Sequence, residues 1–163
     1  MMESVLKIFE DGLFAAIAAI GFSAINATPR RAYAAIGLIA ALSHALRYVL
    51  MAPWGTDMGL VGADTLAALC AGLCAIPAAP RIKCPAEVCF APALLPMIPG
   101  MYAYRSVEAL MACVGSGGED VFMHNFYLLC YNGFTCVAAV AGMVVAATMP
   151  VFLFKRIAFR ATR

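Results

Sequence analysis

The sequence predicts an all-α fold: a polytopic membrane helical bundle of five transmembrane helices, the fourth interrupted at Pro96–Gly100. Three observations carry that expectation. The 163 residues are 64% hydrophobic and 12% charged, with a mean hydropathy of +0.90, whereas a soluble domain carries about 25% charge. No soluble fold of this size buries so much apolar side chain, so lipid must be the solvent for most of it. Five apolar runs alternate with short turns that hold most of the charges. The fourth run also contains Leu95-Pro96-Met97-Ile98-Pro99-Gly100, where two residues without a backbone N–H and one glycine prevent a continuous helix.

Each element follows from the order of the chain. The first stretch is short and acidic, with Glu3, Glu10 and Asp11 against Lys7, unlike the basic start of a secretory signal. Segment one covers about 12–26, with an amphipathic lead-in over 5–9. Its small residues Ala15, Ala19, Ser23 and Ala27 recur every fourth position, a stripe that lets another helix approach closely in lipid. Thr28-Pro29-Arg30-Arg31 is a turn, with Pro29 suited to a first helical turn. Segment two covers about 31–52 and carries His44 and Arg47. Pro53 to Asp57 is the second turn, placing Trp54 at interface depth. Segment three covers about 58–79 with Asp64, and 80–85 is the third turn. Segment four covers about 87–113, with Arg105 and Glu108 beyond the break. A Gly/Ser/acid turn leads to segment five, about 121–150, which carries His124, Asn125 and Asn132. No stretch is left for a soluble domain, so residues 1–163 read as a single integral membrane domain.

Five crossings put the termini on opposite sides. Turns one and three and the tail hold Arg30, Arg31, Arg81, Lys83, Lys155, Arg156, Arg160 and Arg163. The N-terminus and the other two turns hold Glu3, Glu10, Asp11, Asp57, Glu119 and Asp120, with Lys7 alone opposing. The positive-inside rule then places the N-terminus outside and the C-terminus in the cytoplasm. Cysteine-substitution labelling checks this: a tail labelled from outside overturns it.

The polar residues within the spans concentrate at one level. With a rise of ~1.5 Å per residue, Arg47, Asp64 and Arg105 each lie roughly 7–8 Å to the outer side of their segment's midpoint or break. His44 lies one turn below Arg47, and Asn132 falls at a similar depth. Buried charge is costly in a bilayer, so these positions are candidates for function. In the plainer reading Asp64 neutralises one arginine and the other reaches toward the headgroups. In the functional one, two arginines against one aspartate leave a positive charge over. It faces the outer half-helix that begins near Met101, whose N-terminus offers free N–H groups. Such a site suits a small carboxylate-bearing solute, as in transporters with discontinuous helices. The candidate binding residues are therefore His44, Arg47, Pro96, Pro99, Gly100, Met101, Tyr104 and Arg105, with Asp64 and Asn132 as intramembrane polar support. Arg105 and Glu108 are three apart and could instead pair with each other.

Other chemistries lack their residues. There is no Gly-rich phosphate loop, no nucleophile elbow and no His-Glu-x-x-His, so no enzyme activity and no cofactor are expected. Cys70 and Cys74 stand one turn apart without further ligands at zinc spacing, so no metal site is expected. The net charge of +2 and the lack of a basic–aromatic stripe give no sign of nucleic acid.

Ser43-His44-Ala45-Leu46-Arg47, the Leu95–Gly100 break followed by Ala103-Tyr104, and Ala141-Gly142-Met143 before a basic tail resemble the small, YjjB-like subunit of the bacterial threonine/serine exporter family. The resemblance covers nearly the whole chain, and His44, Arg47, Pro96, Pro99 and Gly100 match its pattern. It implies export of small amino acids or C4 dicarboxylates such as succinate across the bacterial inner membrane, together with a larger membrane subunit of the same family. Five helices are few for a complete carrier with two comparable halves, so a homo- or hetero-oligomer is expected. A non-transporting scaffold or regulatory subunit, with the break serving only as a packing kink, is the alternative.

Overall fold

The computed structural model describes residues 2–115 and 117–154. Among these the regular structure is entirely helical. In chain order the helices are α1 (Met2–Ile25), α2 (Tyr33–Met51), α3 (Leu60–Ile82), α4 (Ala86–Leu94), α5 (Gly100–Gly115) and α6 (Glu119–Leu153). Short 3-10 turns cover Arg30–Ala32 and Leu95–Met97. α1, α2, α3 and α6 are each long and apolar enough to cross a bilayer, and the pair α4–α5 forms a fifth, bent candidate. The basic tail at 155–163 lies outside the described residues.

The chain divides into two compact units, residues up to 97 with those from 142 on, and residues 98–141. In the first, α1 packs on α2, α2 on α3, and α4 against α1, α2 and α3. The core is built of small residues. Ala15, Ala19, Ala63, Ala67, Ala71 and Ala75 are buried, and Ile36 and Met97 are among the few large side chains fully enclosed. Without a hydrophobic drive between helices in lipid, close backbone approach supplies the packing. A Cβ on Gly12 would meet the Ala41 carbonyl oxygen at 3.2 Å, and one on Gly72 would fall onto the Ala147 carbonyl oxygen. The outward faces carry Leu6, Phe9, Phe14, Leu38, Leu42 and Val145, all exposed, as a lipid-facing surface requires. The buried Ser23 and Ser43 hydroxyls donate within their own helices, to Ala19 O and Ile39 O at 2.7 Å.

Helix ends follow local chemistry. α1 stops where Ala27 turns left-handed (φ 52°) and the Thr28 N–H reaches Ser23 O, the six-to-one closure of a Schellman turn. Ala27 thereby leaves the small-residue stripe, which is buried only at Ala15, Ala19 and Ser23. α3 ends in the same way, with Lys83 at φ 52° and the Cys84 N–H on Ala79 O. It runs past the expected turn at Pro80 because Pro77 and Pro80 lie within the helix. Their rings fit helical φ, and they sacrifice hydrogen bonds rather than the backbone path. Arg81 Nη1 donates to Pro77 O at 2.8 Å. Arg31 Nη2 donates to Lys83 O at 3.0 Å, which ties the first turn to the third at one end of the unit.

α3 also meets the last part of α6. Gly72 lies against Ala147, and Gly142 lies against Thr65. Both contacts advance in the same direction along the two helices, so α3 and α6 run parallel.

In the second unit α5 packs on the first part of α6. Ser106 Oγ lies 3.5 Å from Leu129 O, and a Cβ on Gly133 would meet Ser106 Oγ at 3.1 Å. Farther along, Cys113 Sγ lies 3.8 Å from Phe122 O. α6 has 35 residues, or roughly 50 Å at 1.5 Å per residue. That exceeds a hydrocarbon core of about 30 Å, a mismatch that a helix meets by tilting, bending or extending beyond the apolar layer.

Candidate functional site

The first unit gathers charge where α1, α2 and α3 meet. His44 and Arg47 are three apart on α2 and so share a face. Arg47 Nε lies 2.5 Å from Asp64 Oδ1. The Asp64 side chain is fully buried and that of Arg47 is 22% exposed. His44 Nδ1 lies 3.3 Å from Asp11 Oδ2 on α1, as its N–H would donate to the carboxylate. Two buried atoms of this array, Asp64 Oδ2 and His44 Nε2, have no hydrogen-bond partner among the described residues. An open cavity of about 370 Å³ adjoins it, lined by Asp11, Arg47, Tyr48, Met51, Ala52, Pro53 and Trp54. Arg47 thus touches a buried carboxylate on one side and an accessible cavity on the other.

The break lies where the sequence places it. α4 gives way to the 3-10 turn Leu95–Met97, with Pro96 half-buried and Met97 fully buried. α5 then starts at Gly100, with the Tyr102 and Ala103 N–H groups on Pro99 O at 3.0 and 3.3 Å. Pro99 is buried, while Gly100, Met101, Tyr104 and Arg105 are exposed. Within the second unit Arg105 and Glu108 line a cleft of about 490 Å³ with Asn125, Tyr131 and Asn132. No ion pair joins Arg105 to Glu108 among the described residues. Asn132 is 5% exposed, and its Nδ2 donates to Leu128 O at 2.7 Å.

The structure therefore groups the candidates by unit. His44, Arg47 and Asp64 come together in the first, and Asp64 pairs with Arg47. Arg105 and Asn132 come together in the second, on the unit that begins with the entry to α5. Two residues at these sites are not among the sequence candidates. The sequence offers Glu108 only as a partner for Arg105. It places Asp11 in an acidic outer stretch, although Asp11 stands four residues before Ala15 and so heads the buried stripe.

A profile of the family described as "Threonine/Serine exporter, ThrE" matches residues 11–153. The chain belongs to the threonine/serine exporter family. The match runs from Asp11 in α1 to the end of α6, and so takes in both units. An uncharacterized protein of Haemophilus influenzae is 28% identical over 152 residues, which cover 93% of this chain and 49% of that protein. The chain thus spans about half the length of the curated relative it matches. No solved structure matches it. Exporters of this family are transporters, and this member is a multi-pass membrane protein by its apolar helices.

Proposed function

We propose that this chain is one half of a secondary transporter that exports small carboxylate-bearing solutes, threonine and serine or a C4 dicarboxylate such as succinate, across a bacterial inner membrane. The observation that carries the reading is Arg47, held in a buried ion pair yet lining an accessible cavity. A guanidinium offers a planar fork matched to a carboxylate, and a cavity of this size holds a small solute. The interrupted crossing supports the same reading, because carriers use half-helix ends to meet anionic groups. Donors for a carboxylate stand in each unit: Arg47 beside His44 in the first, and Arg105 with the Gly100–Met101 entry of α5 in the second. Pro96 and Pro99 make that entry, and Tyr104 lies one turn along. Asp11 also lines the Arg47 cavity. An acid beside the arginine favours a zwitterion, whose ammonium it attracts, over a dicarboxylate, which it repels.

A partner of the same family is part of the proposal, since the matched relative is about twice as long and a carrier commonly needs two comparable halves. The whole chain would then sit as one membrane domain, its N-terminus outside, following the alternation of charge among the turns.

Counterflow in proteoliposomes tests the reading. Vesicles holding the purified protein and its larger partner, preloaded with L-threonine or succinate, are expected to accumulate the labelled solute. Arg47→Lys is expected to lower the flux about tenfold or more, the cost of losing one charged hydrogen bond. If neither solute moves, with or without the partner, export fails as a reading. The scaffold alternative expects instead that Arg47→Ala disturbs assembly and leaves flux per assembled complex unchanged.

A further inference from the structure

Arg47 is shared between two environments, and Asp64 must respond when it is called to the second. The Asp64 carboxylate is fully buried, with Arg47 as its ion-pair partner and Oδ2 left without a hydrogen-bond donor. It does not line the cavity; Arg47 does. A solute carboxylate entering that cavity competes with Asp64 for one guanidinium. A buried carboxylate deprived of its counterion neutralises rather than staying charged.

We propose that Asp64 is the proton-carrying group of the site, taking up one proton whenever a solute carboxylate takes Arg47. The inference rests on the export reading and deepens it. The balance is simple. The Arg47–Asp64 ion pair breaks, a guanidinium–solute pair forms, and a proton delivered from cavity water binds Asp64 as an O–H at Oδ2. Empty, Asp64 is balanced by Arg47. Loaded, Arg47 balances the solute carboxylate and Asp64 is an uncharged acid, so no buried carboxylate is left without its counterion. Few other ionisable groups face α3. α2 brings His44 beside Arg47, and α1's Asp11 pairs with the imidazole and lines the Arg47 cavity. α4 brings Glu87 at its start, and the stretch of α6 against α3, 142–154, has no ionisable side chain. Asp64 is a positioning residue for Arg47 and does not itself hold the solute.

Binding of labelled L-threonine to the purified complex, measured from about pH 6 to 8, tests this. Uptake of one proton on binding makes affinity fall about tenfold per pH unit over the range where Asp64 is ionised in the empty site. Asp64→Asn, a fixed mimic of the protonated acid, is expected to bind L-threonine with an affinity that does not vary with pH. His44→Gln is expected to keep the slope. A flat native profile overturns the proposal, as does an Asp64→Asn variant that keeps the slope or a His44→Gln variant that loses it. If Asp64→Asn does not fold, calorimetry of the native complex in buffers of different ionisation enthalpy decides: one proton taken up supports the proposal and none overturns it. The same measurement with succinate separates the two levels. Absence of binding by either solute brings down the export reading, whereas binding without proton uptake brings down only the role of Asp64.

Discussion

Asp64→Ala is expected to lower stability by about 3–5 kcal/mol, the cost of leaving a buried charge without its partner. The Arg47 guanidinium is mostly enclosed by α2 and α3 and pairs with Asp64 at 2.5 Å. The other acid near Arg47, Asp11, is paired with His44. The contrast lies in the double variant. Arg47→Met with Asp64→Leu removes both charges and fills the space with apolar side chains, an exchange that is often neutral or stabilising. The double variant is therefore expected to melt close to the native protein in detergent while exporting nothing. This pattern, one substitution harmful and two harmless to the fold, identifies a pair kept for what it does rather than for what it holds together. An Asp64→Ala variant as stable as native would mean that water already reaches the pair.

Rebuilding the fourth crossing as a continuous helix is expected to abolish export. Pro96→Ala, Pro99→Ala and Gly100→Ala together restore two backbone donors and remove two ring clashes, each worth about 3 kcal/mol against a helix. The 3-10 turn Leu95–Met97 and the separate start of α5 at Gly100 would merge into one rod. Folding should tolerate the change, since helix propensity improves at every altered position. Flux is expected to fall about 100-fold or more, the scale associated with a misplaced binding group. Counterflow measures it, and native-like flux from the straightened variant would show that the interruption is only a kink.

Hydropathy made the bundle legible before any coordinates, because a bilayer forces each crossing into a long apolar run and pushes charge into the turns. The interruption was legible for an equally local reason, two missing N–H groups and a glycine within six residues. The pairing of Asp64 was not. Depth along separate helices places charges at one level, but it says nothing of azimuth, so it does not choose between Arg47 and Arg105; the packing of α2 on α3 does. Asp11 was hidden by its neighbours: Glu3, Lys7 and Glu10 made the stretch look like a solvated lead-in, yet α1 begins at Met2 and turns Asp11 toward His44. The end of α3 is not legible at Pro80, because proline usually stops a soluble helix but is tolerated within a membrane one.

The contacts at Gly12 and Gly72 set a limit on how this protein moves. Two pairs of helices touch there without side chains between them, carbonyl against α-carbon. Surfaces meeting at that range have no compressible layer and cannot shear by a fraction of a turn without collision. On the proposed export reading, a rocking motion would treat α1 with α2, and α3 with the end of α6, as blocks that travel whole.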